Sequence, residues 1–405
     1  MRILIVTQWF DPELALKGRA FARSLVDAGH DVEVITGFPN YPTGRIYPGY
    51  RLKLLERSDV DGFRLNRVFL FPSRDANAVA RVLNYVSFMF TATLFATFGA
   101  RRPDVIYAYH PPLTTGIAAA IAGFWRRSPV VYDIQDLWPD TLSATGMIRN
   151  GVLMRLVGSV CDRVYRRMAR IVVLSPGFRE RLIERGVPAG KIEVIFNWAD
   201  EAAGASMEPQ VGRHAPSKRR FQLLFAGNMG KGQGLTSVIE AAEILQDARA
   251  EIDLVFVGSG LERAALEAMA ARRKLTNVVF RPAVPVTEMP AIFDQADALL
   301  VHLRDDPLFA ITIPSKTQAY LAAGKPILMA TRGDSAQLVE RAGAGVVAEP
   351  GNPVSIAAAV ALLAGMGDAE RARLGAQGRM FYERELSFAV GAARFEKLFC
   401  EVAAE

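Results

Sequence analysis

Three loops in the second half of the chain combine glycine with lysine at positions suited to binding phosphate. The first reads GNMGKGQG over residues 227–234 and joins an apolar run to a helical pattern. Glycine lets backbone N–H groups approach a phosphate closely, and the lysine supplies positive charge. The alternative is a flexible turn with a solvated lysine, and the spacing excludes a Walker A loop. The candidate ligand-binding residues of this loop are Gly227, Asn228, Gly230 and Lys231.

The second and third loops also follow predicted strands. Gly258 and Gly260 end one strand, where a lone G-x-G is a weak signal. In the third loop, Pro314 suits the first turn of a helix, so free N–H groups with Ser315 and Lys316 could form an anion site. The alternative is an ordinary capped helix with an exposed lysine. Three such loops on one sheet, with no G-x-G-x-x-G after the first strand, favour a nucleoside diphosphate over a nicotinamide cofactor.

In the first half, polar and aromatic side chains follow predicted strands. His110 ends one strand, and it either faces a reacting group or is satisfied by local backbone. The run DIQDLWPD follows the next strand, and its acids could act as a base, hold sugar hydroxyls or cap a helix, while its tryptophan could stack on a sugar. The loop FPNYPTG is either an acceptor-binding element or a rigid turn. The candidate acceptor-binding residues are Asn40, Tyr41, Asp133, Asp136 and Trp138.

Metal and disulfide chemistry find little support in the sequence. The two cysteines, Cys161 and Cys400, exclude a disulfide framework and a four-ligand zinc site, and favour a reduced compartment. His30 precedes a predicted strand, at the edge of the sheet away from any ligand site, so we interpret it as structural. His302 ends a strand without metal-ligand spacing. We therefore expect no metal cofactor.

The elements that must position these residues alternate between β-branched runs and longer helical patterns. This alternation predicts parallel sheets with helices on both faces. We therefore predict an α/β protein with two doubly wound, Rossmann-like domains, whose ligand lies at the carboxyl ends of the strands in a central cleft. The predicted domains are 1–197 and 221–385, joined by a polar linker at 198–220, and a C-terminal helix at 386–405 packs back toward the first domain. The predicted strands are Ile3–Thr7, Asp31–Thr36, Val105–Tyr109, Val130–Asp133, Ile171–Leu174, Ile192–Ile195, Phe221–Phe225, Ile252–Val257, Val278–Phe280, Ala298–His302, Pro326–Ala330 and Gly345–Val347.

Composition and charge narrow the class of protein. The chain has 405 residues, of which 51% are apolar, so it can build cores and is not disordered. The formal net charge of +6 is uneven, because residues 1–200 carry +8 and residues 201–405 carry −2. A basic first half indicates a phosphate-rich or anionic-membrane partner, or arginines on ordinary solvated faces. The glycine-lysine loops and an apolar segment favour a membrane over a nucleic acid.

That apolar segment, Val82–Ala100, has 19 residues without a charge and is long enough to span a bilayer. It is a buried or partly exposed crossover helix, an interfacial helix on the membrane surface, or a span. Polar residues such as Asn84 and Ser87 weaken the span, and a crossover must return to the same sheet. Flanking arginines suit anionic headgroups. They are Arg74, Arg81, Arg101, Arg102, Arg126 and Arg127.

Together these residues resemble the family 4 retaining glycosyltransferases of the GT-B fold over essentially the full chain. Within that family the resemblance is to the bacterial O-antigen, capsule and colanic-acid branch, which includes N-acetyl-L-fucosaminyl transferases. The long last block, with FPNYP and DLWP, is quite specific, whereas the single glycine loops are not. The matching blocks are TQWFDPE, AGHDVEVIT, FPNYPTGRIYPGY, YDIQDLWPD, GNMGKGQGL, VGSG and LVHLRDDPLFAITIPSKTQAYLAAGKPIL.

The resemblance implies a nucleotide-sugar donor, usually UDP-linked, held mainly by the second domain. It implies that Lys231 meets the diphosphate, with Ser315 and Lys316 close by. Val284 would meet the base through its backbone, and His110 would lie near the donor sugar. From the first domain, the residues implied to approach the donor phosphates are Lys17, Gly18 and Arg19.

The chain also departs from the family pattern. Many members carry an E-x7-E pair, and Ile311 and Ala319 stand at the equivalent positions. Asn228 stands where an arginine is usual. Thr317 or Gln318 would then have to contact the ribose and sugar, which is compatible with an amino- or deoxy-sugar donor.

We therefore expect retaining transfer from a UDP-sugar to a polyprenyl-diphosphate-linked saccharide, in cell-surface polysaccharide synthesis. The expected location is peripheral, on the cytoplasmic face of the inner membrane. Lys231 and Lys316 would stabilise the departing diphosphate without a metal, and His110 would orient the sugar. The alternatives are a UDP-sugar 2-epimerase of the same fold and a non-catalytic subunit that docks a partner enzyme on the membrane.

Overall fold

The computed structural model describes residues 1–13, 15–73, 78–144, 150–201 and 220–405. The chain forms two compact units. The first comprises Met1–Phe196 and Ala392–Glu405, and the second comprises Asn197–Gly391. The chain thus enters the second unit one residue before the predicted boundary and returns to the first unit six residues after the predicted one. Most of the predicted linker, and Arg74, lie outside the described residues.

An eight-stranded sheet forms the centre of the first unit, in the order β3-β4-β2-β1-β5-β6-β7-β8. All neighbouring strands are parallel except β3, which runs antiparallel to β4. Buried parallel strands read as continuous apolar runs, which is why most of them are visible in the sequence. The strands are β1 (Arg2–Thr7), β2 (Asp31–Gly37), β3 (Leu55–Val60), β4 (Phe63–Val68), β5 (Val105–Tyr109), β6 (Val130–Ile134), β7 (Arg170–Val173) and β8 (Ile192–Val194).

The β3–β4 hairpin is absent from the sequence prediction. Its turn is Asp61-Gly62, and both residues have positive φ, at 47° and 85°. An Asp-Gly pair suits the tight turn of a hairpin, which requires that conformation. Strand β3 is mostly exposed and polar, so it lacks the apolar alternation that marks a strand.

Helices cover both faces of this sheet. The chain moves from β1 toward β2 through α1, but toward β8 through the later helices, so right-handed crossovers place α1 on one face and α2, α3, α5 and α6 on the other. The helices are α1 (Arg19–Asp27), α2 (Ala78–Leu94, continued by a π-helical turn at Phe95–Gly99), α3 (Leu113–Arg126), α4 (Asp140–Ala144), α5 (Gly151–Arg167) and α6 (Pro176–Glu184).

Helix α2 packs on the sheet along one side only. Phe88 is fully buried, and Asn84 binds the Gln8 amide at 2.6 Å and the Phe71 carbonyl at 2.8 Å. By length and composition, Val79–Gly99 is the one single helix in the described part of the chain that could cross a membrane, and a third of it is buried. These hydrogen bonds fit a partly exposed crossover helix.

The second unit contains a six-stranded parallel sheet in the order β11-β10-β9-β12-β13-β14. Its strands are β9 (Phe221–Ala226), β10 (Ile252–Val257), β11 (Val278–Arg281), β12 (Ala298–His302), β13 (Ile327–Ala330) and β14 (Gly345–Val347). Its helices are α7 (Thr236–Asp247), α8 (Arg263–Arg272), α9 (Met289–Asp294), α10 (Pro307–Ala310), α11 (Ser315–Ala323), α12 (Asp334–Ala342), α13 (Pro353–Gly365) and α14 (Asp368–Glu385). The last helix, α15 (Phe388–Ala404), carries the chain back into the first unit.

Candidate functional site

In the second unit, the loops after β9 and β10 pack backbone against backbone. A Cβ added at Gly258 would lie 2.0 Å from the carbonyl oxygen of Gly227, and one at Gly260 would lie 2.4 Å from that of Met229. The Met229 N–H also donates to the Ser259 carbonyl at 2.7 Å. Gly258 and Gly260 were predicted to bind the donor. The structure instead gives both glycines a packing role.

Lys316 lies beside the first of these loops. Its Nζ donates to Gln233 Oε1 at 2.7 Å and lies 3.8 Å from the ring centroid of Phe225. Burial lowers the pKa of this ammonium group to about 7. No acidic side chain in the described residues forms an ion pair with Lys316. A bound anion here would favour the charged form, so the position is suited to a phosphate.

His302 holds the loop that carries Gln233. The N–H of Gly351 donates to His302 Nε2 at 3.3 Å, so Nδ1 carries the proton and donates to the Gln233 carbonyl at 2.5 Å. Burial lowers the pKa of His302 to about 4, so the ring is neutral. This role of His302 is not visible in the sequence, because only the fold brings the end of β12 beside this loop.

The start of α11 exposes only part of what was predicted. Ser315, at the first helical position after Pro314, is exposed, as an anion-binding N-terminus requires. Thr317 and Gln318 are 0% and 2% exposed. With its amide assigned from hydrogen bonding, Gln318 donates to the carbonyls of Pro314 and Ser315. The predicted ribose and sugar contacts of Thr317 and Gln318 therefore do not fit this structure.

The remaining predicted donor residues of the second unit lie on loops. Lys231 and Asn228 are exposed, and Gly230 precedes the short 3-10 turn Lys231–Gln233. Lys231 forms no ion pair with any residue that the structure describes. Val284 is half-buried, just after β11. Their roles stay predictions.

In the first unit, Lys17 is fully buried and its Nζ lies 3.0 Å from Asp133 Oδ2. Asp133 is also buried and accepts from the Tyr107 hydroxyl at 2.7 Å and from the Gln135 amide at 2.6 Å. Burial lowers the pKa of Lys17, and the carboxylate partly offsets this. Neither side chain offers surface to a ligand, so the predictions of Lys17 as a phosphate ligand and Asp133 as an acceptor contact do not fit.

Gly18 and Arg19 are also engaged within the first unit. The Arg19 N–H donates to Asp11 Oδ2 at 2.6 Å, and a Cβ at Gly18 would lie 2.2 Å from that oxygen. The Arg19 guanidinium holds both oxygens of Asp61, at 2.5 and 2.9 Å. The carboxylate of Asp11 thus occupies the N-terminal end of α1. The prediction that Gly18 and Arg19 bind the donor phosphates therefore does not fit this structure.

His110 follows β5, as predicted. It is 1% exposed, and burial lowers its pKa to about 3, so the imidazole is neutral. Its Nδ1 is buried and has no hydrogen-bond partner among the described residues. The ring meets Trp138 edge to face at 5.9 Å. Asp136, half-buried nearby in sequence, has a pKa raised by burial. His110 stays a candidate because its Nδ1, unlike the paired groups of Lys17 and Asp133, has no described partner. Asp136 and Trp138 stay candidates because they are half-buried.

The predicted acceptor loop is fixed by a residue that sequence reasoning missed. Glu13 is buried, and its Oε1 accepts from the N–H groups of Asn40 and Tyr41, both at 2.7 Å. Desolvation raises the pKa of Glu13, although these hydrogen bonds oppose it. Asn40 is itself buried, whereas the half-buried Tyr41 ring lies 4.6 Å from that of Trp9. The only sign of this role in the sequence was the position of Glu13 at the end of the block TQWFDPE.

One group of side chains in the described residues could hold a metal ion. It lies in the first unit, beside the amino end of β2. His30, Glu396 and Cys400 each offer a ligand atom, and these atoms lie within 4.8 Å of one another. His30 Nε2 already lies 3.3 Å from Glu396 Oε1, and His30 Nδ1 has no described partner. A ligating histidine usually donates its other nitrogen to a neighbour, so the group does not have the full character of a metal centre.

Comparisons with known proteins cover both units. Residues 19–198 match the model of the glycosyl transferase 4-like domain, and residues 207–381 match that of the glycosyl transferases group 1. WcaI of Escherichia coli, whose name places it among the glycosyl transferases of colanic acid biosynthesis, is 28% identical over 80% of this chain and 82% of its own length. WbjE of Pseudomonas aeruginosa, named as a glycosyltransferase, is 25% identical over 71% of this chain and 73% of its own length.

Solved structures show the same fold. Sucrose-phosphate synthase from Thermosynechococcus elongatus has a TM-score of 0.70 at 15% identity, covering 100% of this chain and 99% of that structure. Anabaena Alr3699/HepE, solved in complex with UDP-glucose, has a TM-score of 0.67 at 16% identity, covering 100% and 99%. The predicted class, with two doubly wound α/β domains and a returning C-terminal helix, is confirmed.

Proposed function

The chain belongs to the glycosyltransferases of the GT-B fold, and from this premise we propose that it transfers a sugar from a UDP-sugar to a lipid-linked saccharide with retention of anomeric configuration. The product would be part of a cell-surface polysaccharide. Support for that setting comes from WcaI, which is named for colanic acid biosynthesis. An N-acetylated amino- or deoxy-sugar is the proposed donor sugar, as the absent E-x7-E carboxylates suggest.

Lys316 is the observation that carries the donor proposal. It is a half-buried cation without a described acidic partner, and it stands in the first turn of α11, where its Nζ contacts the loop after β9. A diphosphate bound there would interact with the Lys316 ammonium group, with the free N–H groups at the start of α11 beside Ser315, and with the exposed Lys231. These groups would stabilise the negative charge that develops as the diphosphate leaves, which is electrostatic catalysis. HepE, which shares the fold, was solved with UDP.

His110 is the proposed sugar-orienting residue of the first unit. Because its ring is neutral and its Nδ1 has no described partner, it can form one hydrogen bond to a neutral hydroxyl. Asp136 and Trp138 are proposed to contact the acceptor. Glu13, which fixes the backbone of Asn40 and Tyr41, is a positioning residue for the same purpose.

The acceptor is proposed to be a polyprenyl-diphosphate-linked saccharide, reached from the cytoplasmic face of the membrane. Helix α2 supports this because one side of it carries exposed apolar side chains. Phe90 and Phe98 are 62% and 77% exposed. Arg101 and Arg102 follow the helix and suit anionic headgroups. No resident metal or cofactor is part of the proposal.

The test is turnover of a panel of UDP-sugars, measured as UDP release with and without a polyprenyl-diphosphate saccharide. We expect acceptor-dependent UDP release, an axial linkage from an axial donor, and loss of at least a hundredfold in turnover for Lys316→Met. The matched control is Lys397→Met, which removes an exposed lysine from α15. Epimerisation of the donor without acceptor would identify the epimerase instead, and absence of UDP binding would identify a non-catalytic subunit.

A further inference from the structure

One face of the first unit is unusually apolar on its outside. Helix α3 packs between α2 and α5, and together these three helices cover one side of the sheet. More than half of the exposed large apolar side chains in the described residues belong to this layer. Single exposed apolar residues are ordinary, but a contiguous patch marks an interaction surface. The exposed members include Phe90 and Phe98 on α2, Phe124 and Trp125 on α3, and Val152 and Leu156 on α5.

A groove runs between α3 and α5 within this layer. Its volume is about 600 Å³, which is in the range of roughly 300–1,000 Å³ typical of sites for small molecules. The α3 wall includes Ile121, Phe124 and Trp125, and the α5 wall includes Val160 and Val164. These walls offer hydrocarbon and aromatic carbon, so they suit an apolar chain.

The polar part of the groove is entirely basic. Arg163, Arg166 and Arg167 line it and are exposed, and no acidic residue lines it. None of the three forms an ion pair with any described residue. The Arg167 guanidinium lies over the Phe124 ring at 5.5 Å, which places a charge directly beside the apolar wall. Guanidinium groups bind phosphate oxygens in a bidentate manner.

The groove lies away from the candidate substrate residues of this unit. Helix α3 begins at Leu113, shortly after His110, and lines the groove from Ile117 to Trp125, mostly with its second half. Trp125 lies about 18 Å along the helix from Leu113, at 1.5 Å per residue. Helix α5 contributes its second half as well, so the groove sits toward the amino ends of the strands. A ligand here is therefore not the acceptor saccharide.

We propose that this groove binds one acyl chain of an anionic membrane phospholipid, with the lipid phosphate held by Arg163 and Arg167. The apolar walls take the chain, the arginines take the headgroup, and the exposed Trp125 suits the membrane interface. The groove continues the apolar face of α2, so one membrane surface serves both. The inference rests on the membrane part of the proposed function, and it is independent of sugar transfer.

Trp125 provides a direct test of this site. The protein is mixed with vesicles of phosphatidylcholine whose acyl chains are brominated, with or without brominated phosphatidylglycerol, and tryptophan fluorescence is recorded. We expect quenching only with the anionic vesicles, and loss of most of it in Trp125→Phe. Arg163→Gln/Arg167→Gln is expected to bind the anionic vesicles about 25-fold more weakly, since each arginine near an anionic surface contributes about fivefold in affinity. The matched control, Arg272→Gln/Arg373→Gln, removes two exposed arginines from the second unit and is expected to bind normally.

A groove-filling variant separates this site from adsorption through α2. Ala120 lines the groove, so Ala120→Phe is expected to abolish quenching of Trp125 while the far-ultraviolet spectrum is unchanged. Unchanged quenching in Ala120→Phe, equal binding to neutral vesicles, or equal binding by both arginine double variants would overturn the proposal. UDP affinity, measured on the same variants, is expected to stay constant. If the wild-type protein does not bind UDP at all, that result would count against the donor site and not against the groove.

Discussion

Lys316 predicts how the affinity for UDP depends on pH. Its pKa of about 7 means that about half of the free protein carries the charge at pH 7, and about 3% does at pH 8.5. If the diphosphate binds only the charged form, the Kd for UDP rises about 15-fold over this interval, or about 1.6 kcal/mol. Below pH 6 the lysine is already charged, so its contribution levels off.

Other groups do not produce the same profile. The terminal phosphate of UDP, with a pKa near 6 like other phosphate monoesters, is almost fully ionised from pH 7 upward. His302 shares the Gln233 loop with Lys316, but with a pKa of about 4 it is neutral throughout. The fall in affinity above pH 7 is therefore assigned to the lysine.

Isothermal titration calorimetry of UDP in buffers of different ionisation enthalpy measures both the affinity and the protons taken up. We expect uptake of about half a proton at pH 7 and about one at pH 8.5, because binding restores the charge on Lys316. Lys316→Arg keeps its charge at every pH and is expected to show no uptake, whereas Lys316→Met binds weakly throughout. A wild-type Kd that changes less than twofold from pH 7 to 8.5, or binding without proton uptake, would refute the reasoning.

Further predictions concern the packing that supports the two candidate sites. Lys17→Met leaves the buried carboxylate of Asp133 without its cation, and we expect it to lower the free energy of unfolding by urea by about 3–5 kcal/mol. The double variant Lys17→Met/Asp133→Asn is expected to regain part of this stability, and an unchanged urea midpoint in Lys17→Met would contradict the buried pair. Gly258→Ala forces a Cβ into a neighbouring carbonyl at a φ of 145°, so it is expected to lower thermal stability and UDP affinity, whereas Gly365→Ala, with open space around it, does neither. His302→Leu leaves the partly buried carbonyl of Gln233 without its donor, and we expect a loss of about 1 kcal/mol in stability together with weaker UDP binding; unchanged UDP affinity would show that the loop does not depend on this histidine.

The buried framework of both units was predictable from sequence. Strands Val105–Tyr109, Ile252–Val257 and Ala298–His302 have the predicted bounds, because a parallel strand buried on both faces is a short apolar run. The half-buried edge strand Gly345–Val347 also has the predicted bounds. The edge strand Leu55–Val60 escaped, because exposed polar residues leave no periodic signal. Its turn, Asp61-Gly62, was the available clue.

The position of the candidate site was predictable, but the direction of its side chains was not. Strand order places the glycine loops and α11 at one edge of a sheet, so Lys316 and Ser315 could be chosen from topology. Thr317 and Gln318 follow directly, yet they turn into the core. Lys17 lies just before α1, a position typical of a phosphate ligand, but it forms an ion pair with Asp133, which is 116 residues away in sequence. Such pairings depend on tertiary packing, which local patterns do not contain.

The return of the chain at Ala392 determines the order in which the molecule can be completed during synthesis. Phe395 and Phe399 are fully buried in the first unit against Tyr107, whose hydroxyl binds Asp133. The ribosome makes these phenylalanines only after the whole second unit has been synthesised. The first unit therefore waits, with an apolar gap beside its central strand, while its neighbour can already fold. A stop codon after residue 391 would thus damage the first unit, although all other residues of that unit precede residue 197.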